Sequence, residues 1–116
     1  MLASESTTVT ITAPVQYAIK AAAQTRVFDY SASAISVGFL IDTLGSDIVK
    51  STLQQKVGTV YVNIADKTDQ PVTISGGGAT LVVPGGYKKG TYRYVLTLYD
   101  DSGIGRAQTV ENIIIK

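Results

Sequence analysis

Apolar and polar side chains alternate along much of this chain, and the alternation is clearest in the stretch Gly90–Tyr99. Successive side chains of a strand point to opposite faces of a sheet. Every second residue from Tyr92 to Leu98 therefore shares one apolar face. The other face is mixed and carries Arg93, Val95, Thr97 and Tyr99. We expect a long central strand that packs on a core with one face and meets water or a partner with the other.

The same alternation predicts strands over residues 34–42, 58–64 and 107–115, with shorter ones at 8–13, 25–30, 48–54, 72–74 and 80–83. Residues 15–24 fit a strand by their alternation or a helix by their alanines, and the β-like neighbours favour a strand followed by a loop. In the last strand the run Ile113-Ile114-Ile115 breaks the alternation. We expect a bulge or burial on both faces there.

Short strands separated by Gly, Pro, Asp and Ser turns are typical of a β-sandwich or barrel, and the pattern around Gly90 favours the sandwich. The chain has 116 residues, which is the size of one domain. We therefore predict a single domain over residues 1–116, with residues 1–7 flexible. The fold class is all-β, an antiparallel sandwich of about seven to nine strands.

Composition narrows the possible functions. The chain contains no Cys, His or Trp and has a net charge of +1. Disulfides, thiolate metal sites and a Ser-His-Asp triad are therefore impossible, and the basic field typical of nucleic-acid binding is missing. We expect no signal peptide, because the N-terminus lacks a basic stretch followed by an apolar one. We also expect no membrane insertion, because no apolar run is long enough.

One motif resembles a known family. Gly90-Thr91-Tyr92-Arg93-Tyr94 resembles the beginning of strand F in immunoglobulin-like domains. Residues 90–103 look like the GTYxYxLxLxDxxG end of small immunoglobulin-like domains in phage virion proteins, such as the N-terminal domain of siphophage baseplate upper proteins. Residues 29–37 are similar to an earlier strand of that family, with one extra residue before the alanine. The final strand, ending in residues 111–116, also fits the family.

The resemblance implies an immunoglobulin-like sandwich and a tyrosine corner, in which the Tyr92 hydroxyl bonds back to the chain. Tyr94 stands where antibody domains carry a disulfide cysteine, so this would be a disulfide-free relative. For function, the resemblance implies a virion protein, assembled in the host cytoplasm, that assembles, bridges or decorates without catalysis.

The mixed face of the central strand is the best candidate for an interface, because Tyr and Arg are enriched at binding hot spots. Arg93, Val95 and Tyr99 lie on it, and Tyr61 and Leu40 would extend it if their strands are neighbours. The simpler interpretation is an ordinary exposed sheet face. Lys88 and Lys89, beside Tyr87, would suit an acidic partner or a glycan, although such lysines are more often simply solvated.

Other candidate sites have simpler explanations. The stretch Asp100-Asp101-Ser102-Gly103 suits a hairpin turn better than a Ca²⁺ site, and Asp66 and Asp69 also read as turn residues. Gly76-Gly77-Gly78 is a flexible loop, since no Lys-Ser/Thr follows it. We therefore assign no catalytic residue, cofactor or metal.

We expect a non-catalytic phage structural protein of the tail, baseplate, neck or head that works by self-association as a homo-oligomer or by docking to other virion proteins. The alternative is a carbohydrate- or cell-surface-binding module, which would need an aromatic platform. Tyr87, Tyr92, Tyr94 and Tyr99 would supply it.

Overall fold

Residues 15–116 are described by a computed structural model. The predicted strand at residues 8–13, the break at Pro14 and the flexibility of residues 1–7 lie outside this range. In sequence order the strands are β1 (Ala18–Ala23), β2 (Val27–Phe28), β3 (Ile35–Leu44), β4 (Ile48–Val57), β5 (Val60–Asn63), β6 (Gln70–Val72), β7 (Gly78–Val83), β8 (Gly90–Tyr99) and β9 (Gly105–Ile115). A short 3-10 helix at Ala65–Lys67 joins β5 to β6.

Two sheets form a sandwich. The larger sheet has the order β2-β9-β8-β4-β5, with β6 also paired to β4, and the smaller has the order β1-β3-β7. All pairs are antiparallel except β2 with β9. The orders β1-β3-β7 and β9-β8-β4-β5 match strands A-B-E and G-F-C-C′ of immunoglobulin-like sandwiches, but β6 pairs with the large sheet and does not occupy the position of strand D beside β7. The all-β sandwich that the sequence predicts is therefore confirmed.

The apolar face of β8 forms the middle of the core. Tyr92, Tyr94, Leu96 and Leu98 are each at most 2% exposed. They pack against the small sheet, where the Phe39 ring meets Tyr94 edge-on at 5.5 Å between centroids. Burying each such large apolar side chain stabilises the fold by about 1.5–3 kcal/mol. The alternation in β8 thus positions its mixed face, by geometry alone, on the outside of the large sheet.

The structure decides two expectations, one for residues 15–24 and one for the run of isoleucines in the last strand. Residues 18–23 are strand β1, so the strand interpretation is right, and the alanines continue it rather than form a loop. The expectation for Ile113-Ile114-Ile115 is wrong, because Ile113 and Ile115 are buried while Ile114 is 43% exposed. Alternation is kept there because β9 ends beside β2, which covers its edge but not its outer face. The irregularity in β9 lies instead between Gly105 and Ala107.

Candidate interaction surface

The outward-facing side chains of β4, β5, β8 and β9 form one continuous surface, here called the Arg93 face. Arg93, Val95 and Tyr99 lie along its centre on β8, as the sequence predicts. Arg93 is opposite Gln54 on β4 and Asn112 on β9, and Val95 is opposite Thr52 and Val110. Tyr61 joins them from β5, which pairs with the end of β4.

Arg93 is held in place by its neighbours. Its Nε donates a hydrogen bond to Gln54 Oε1 at 2.5 Å, and its guanidinium carbon lies 3.9 Å from the centroid of the Tyr61 ring. Gln54 is fixed in turn, because its Nε2 donates to Asn63 Oδ1 at 2.6 Å. Stacking on an aromatic ring suits the flat guanidinium group. Arg93 is thus held against β4 and β5, and its other N–H groups form no hydrogen bond within residues 15–116.

The middle of the Arg93 face is apolar and its far end is aromatic. Val95 is half-buried beside Val110, which is 39% exposed. At the end of β8, Tyr99 lies opposite Ile48, and the Lys50 ammonium is 5.1 Å from the centroid of the Tyr99 ring. Gly105, opposite Tyr99 on β9, has no side chain that could pack against the ring. The face therefore combines two anchored aromatic–cation pairs with a valine strip between them.

The charge that the four strands place on this face has one sign, although Asp69 lies beside it and its amide donates a hydrogen bond to Thr52 Oγ1 at 3.1 Å. Strands β4, β5 and β8 contain no acidic residue, and Glu111, the acidic residue of β9, points into the core and is 9% exposed. Lys50, Lys56 and Arg93 therefore have no carboxylate beside them on these four strands. A partner that offers carboxylates around an apolar centre would match this face.

Leu40 does not belong to the Arg93 face. It lies on β3, in the middle of the small sheet, and its 57% exposed side chain points away from the large sheet. The hypothesis that Leu40 extends the patch fails because β3 and β5 belong to different sheets. Leu40 instead shares the opposite outer face of the sandwich with Leu44, which is 54% exposed.

Tyr92 makes the hydrogen bond expected of a tyrosine corner, since its hydroxyl donates to the carbonyl of Lys88 at 2.5 Å. Tyr94 has no such partner. Its hydroxyl is buried without a hydrogen bond in the described part of the chain, and burial raises the pKa of Tyr94 far above its usual range. Tyr92 and Tyr94 therefore lie on the same face of β8, but within residues 15–116 only the Tyr92 hydroxyl forms a hydrogen bond.

The tyrosines named for a glycan platform are scattered by the fold. Tyr92 and Tyr94 are in the core. Tyr87 precedes β8 and packs beside Tyr92, whereas Tyr99 ends the strand, about 23 Å from Tyr92 at about 3.3 Å per residue. Lys88 and Lys89 are exposed, and Lys89 lies 6.0 Å from the ring of Tyr30 rather than beside Tyr87. Tyr87 itself is half-buried, and its ring packs against that of Tyr92 with the centroids 6.2 Å apart.

Asp100 fastens the turn between β8 and β9. Its Oδ1 accepts hydrogen bonds from the amides of Ser102 and Ile104, and its Oδ2 accepts one from Arg106 Nε at 2.6 Å. These bonds, led by that from Ile104, lower the pKa of Asp100 below its usual range. Gly103 completes the turn with a φ of +80°, which favours glycine. The hairpin-turn interpretation therefore fits, because the carboxylate oxygens are already engaged.

The remaining acidic candidates also lie in connections. Asp66 is in the 3-10 helix, where it accepts a long hydrogen bond from the Tyr87 hydroxyl at 3.5 Å, and Asp69 precedes β6. Within residues 15–116, no three His, Cys, Asp or Glu side chains come together in a group that suits a metal ion. Gly76 and Gly77 turn the chain into β7, in which Gly78 is the first residue. No helix of the described part is long and apolar enough to cross a membrane.

The sequence analysis did not identify two contacts of functional side chains. The hydrogen bond between Gln54 and Arg93 could not be predicted, because the two residues are 39 positions apart in the sequence. Glu111, expected only as part of a final strand, binds the exposed Arg26 and the amide of the buried Ala23. A charged residue at an inward position of an alternating strand was the signal that could have identified it.

Comparisons of the chain with protein-family models, with curated proteins and with solved structures found no match.

Proposed function

We propose that this protein is a non-catalytic structural component of a phage virion that self-associates or docks on other virion proteins through the Arg93 face. The observation that carries the docking role is the fixed Arg93 side chain, stacked on Tyr61 and bonded to Gln54. The virion assignment is supported by the resemblance of residues 90–103 and 29–37 to immunoglobulin-like virion domains.

A pre-ordered arginine favours binding because its side-chain entropy is already restricted before a partner arrives. Arginine and tyrosine are also the side chains most often found at hot spots, surrounded by apolar contacts that exclude water. The Val95–Val110 strip supplies such contacts between Arg93 and Tyr99. The best partner surface is therefore apolar at its centre and acidic where it meets Arg93 and Lys50.

The charge on the Arg93 face limits how two copies could meet. A two-fold contact of this face with itself would bring Arg93 and Lys50 of both copies together, with no carboxylate on these strands to separate them. A head-to-tail contact avoids this repulsion, because a different surface of the second copy is then the partner. Closed rings of the kind found in virions are built from such contacts.

The oligomeric state tests the docking role. We expect light scattering coupled to size-exclusion chromatography to show a defined oligomer at micromolar concentrations. Arg93→Ala and Tyr99→Ala should each shift it towards monomer, by about tenfold or more in dissociation constant, as for a hot spot worth about 2 kcal/mol. Lys20→Ala removes a cation from the opposite sheet and is the matched control. Equal effects of Arg93→Ala and Lys20→Ala would exclude the Arg93 face.

A second experiment tests the virion assignment. Antibodies against the folded domain should label intact particles of the phage that encodes it, at positions that follow the particle symmetry. Absence of the protein from purified particles would reject the virion role, whatever the oligomeric state. A strict monomer that nevertheless labels particles would reject self-association and leave docking to other virion proteins as the mechanism.

A further inference from the structure

The small sheet has an unprotected edge. Strand β7 pairs with β3 on one side and with no other strand of residues 15–116 on the other. Natural proteins usually protect such edges with charges, prolines or bulges. The sequence of β7, GATLVV, contains neither a charge nor a proline. By contrast, β1 at the opposite edge carries Lys20, and its Ala23 amide is bound by Glu111. The edge of β7 is thus open to pairing with another strand.

The core beside this edge is also open. A cleft of about 120 Å³ lies between β7 and the segment 67–71, and Tyr94 lines it from the core side. Tyr94 is 2% exposed, and its hydroxyl has no hydrogen-bond partner in the described part of the chain. Buried hydroxyl groups normally have a partner. A strand placed next to β7 would cover this cleft and bring backbone polar groups towards it.

We infer that the free edge of β7 binds residues 8–13 of a second copy of this chain as an added strand. This inference rests on the self-association in the proposed function and names its partner segment. Residues 8–13, TVTITA, are uncharged and alternate strictly, so Val9 and Ile11 can face the cleft while the threonines face water. The segment has six residues, the same length as β7. Pairing of an extended segment with an open edge is a common mode of recognition.

Pairing of all six residues with β7 of the same copy is out of reach, because the chain between Ala13 and Gln16 is too short. The Gln16 carbonyl lies against Gly45, so close that a Cβ there would be 2.5 Å from the oxygen. Ala13 is three residues before Gln16 and lies within about 11 Å of it. Gly78, the nearest end of β7, is opposite Leu40. That position is about 13 Å along β3 from Leu44, and the new strand would lie about 10 Å across from β3.

Each copy would therefore donate a segment at one edge and accept one at another. Such a contact is head-to-tail, and it closes into a ring or continues as a filament, depending on the rotation between copies. It is also compatible with the charge on the Arg93 face, which disfavours a two-fold contact.

Crosslinking tests the inference directly, because the chain contains no cysteine of its own. Thr10→Cys and Val82→Cys, made in separate chains, are mixed and treated with a short bismaleimide. We expect a crosslinked dimer as the main product. Thr10→Cys mixed with Ala22→Cys, which is exposed on β1 at the opposite edge, is the matched control and should give little dimer. Equal dimer in both mixtures, or none with Val82→Cys, would overturn the inference.

Two further variants separate this inference from the proposed function. Placing both cysteines in one chain should still give dimers and larger products, whereas a crosslinked monomer would show that the segment binds its own β7. Val9→Asp with Ile11→Asp should abolish the oligomer, whereas Thr8→Asp with Thr10→Asp should weaken it far less. If only Arg93→Ala disrupts the oligomer, the added strand is refuted and the proposed function stands. If the oligomer responds to the segment variants alone, the Arg93 face is refuted instead.

Discussion

The two long sides of the sandwich are closed in different ways. On the side of β1 and β9, the carboxylate of Glu111 accepts hydrogen bonds from the Ala23 amide at 2.8 Å and from Arg26 Nη2 at 2.7 Å. On the side of β6 and β7, no charged group bridges the two sheets in the described part, and the cleft reaches Tyr94. The first side is fastened by a buried charge; the second is left open.

The fastened side explains how the chain changes sheets. Strand β1 belongs to the small sheet and β2, four residues later, to the large one. Glu111 binds both ends of this crossing, since Ala23 ends β1 and Arg26 precedes β2. The Ile114 amide then donates to the Arg26 carbonyl and starts the parallel pairing. A buried carboxylate is tolerable here because each of its oxygens has a donor.

The open side shows what the absence of such a fastening permits. The cleft near β7 is bordered by the unbonded Tyr94 hydroxyl, by apolar and neutral polar side chains and, at the segment 67–71, by the half-buried Lys67. An added strand would have to break the Glu111 hydrogen bonds on the first side, whereas on the second side it would have to displace only packing contacts. The following predictions test this contrast, starting from the largest expected effect.

Removing the buried charge should weaken the fastened side strongly. Glu111→Ala leaves the Ala23 amide and Arg26 without their acceptor, and we expect the free energy of unfolding to fall by about 2–3 kcal/mol. Glu111→Gln keeps an acceptor for the amide and should cost about 1 kcal/mol. Urea unfolding followed by circular dichroism measures both. A loss below about 0.5 kcal/mol for Glu111→Ala would mean that packing alone closes this side.

The same substitution at two neighbouring tyrosines should have opposite effects. Tyr92→Phe removes the hydrogen bond to the Lys88 carbonyl and should destabilise by about 1 kcal/mol. Tyr94→Phe removes a hydroxyl that has no partner in the described part, and should be neutral or stabilising by up to about 1 kcal/mol. Unfolding of the monomer, in a chain lacking residues 2–13, isolates the effect from association. Equal losses would show that the open side is hydrogen-bonded after all.

The contrast between the sides also shows what a sequence can predict. Alternation placed every second residue from Tyr92 to Leu98 in the core and Arg93 outside, because the period of a strand is fixed by its backbone. It could not pair Glu111 with Arg26, which are 85 residues apart, because contacts between strands depend on topology. Leu40 was misjudged for the same reason. A pattern defines the face of a residue, and the fold decides which sheet carries it.

Acid should loosen the β8–β9 turn before the core. The folded-state pKa of Asp100 is lowered, so its contribution is present above the unfolded pKa of about 3.9 and is lost as pH falls through the lower, folded value. We expect the stability of the wild type to fall below about pH 4, and Asp100→Asn to show a shallower slope. Asp101→Asn, at an exposed neighbour, is the control. Identical slopes in all three proteins would assign the acid sensitivity to other groups.

Thr80→Lys should change the free energy of unfolding least of all these variants but should strongly weaken oligomer formation. Thr80→Lys places a charge on the exposed side of β7, as natural proteins do to protect an edge. Thr80 is exposed, so the free energy of unfolding of the monomer should change by no more than about 0.5 kcal/mol. The same variant should lose oligomers that depend on residues 8–13, in light scattering at micromolar concentrations. Ala22→Lys, on the fastened side, should leave them intact. If Thr80→Lys instead destabilises the monomer by more than about 1 kcal/mol, the edge of β7 already supports the isolated fold, and the difference between the two sides is smaller than their hydrogen bonds suggest.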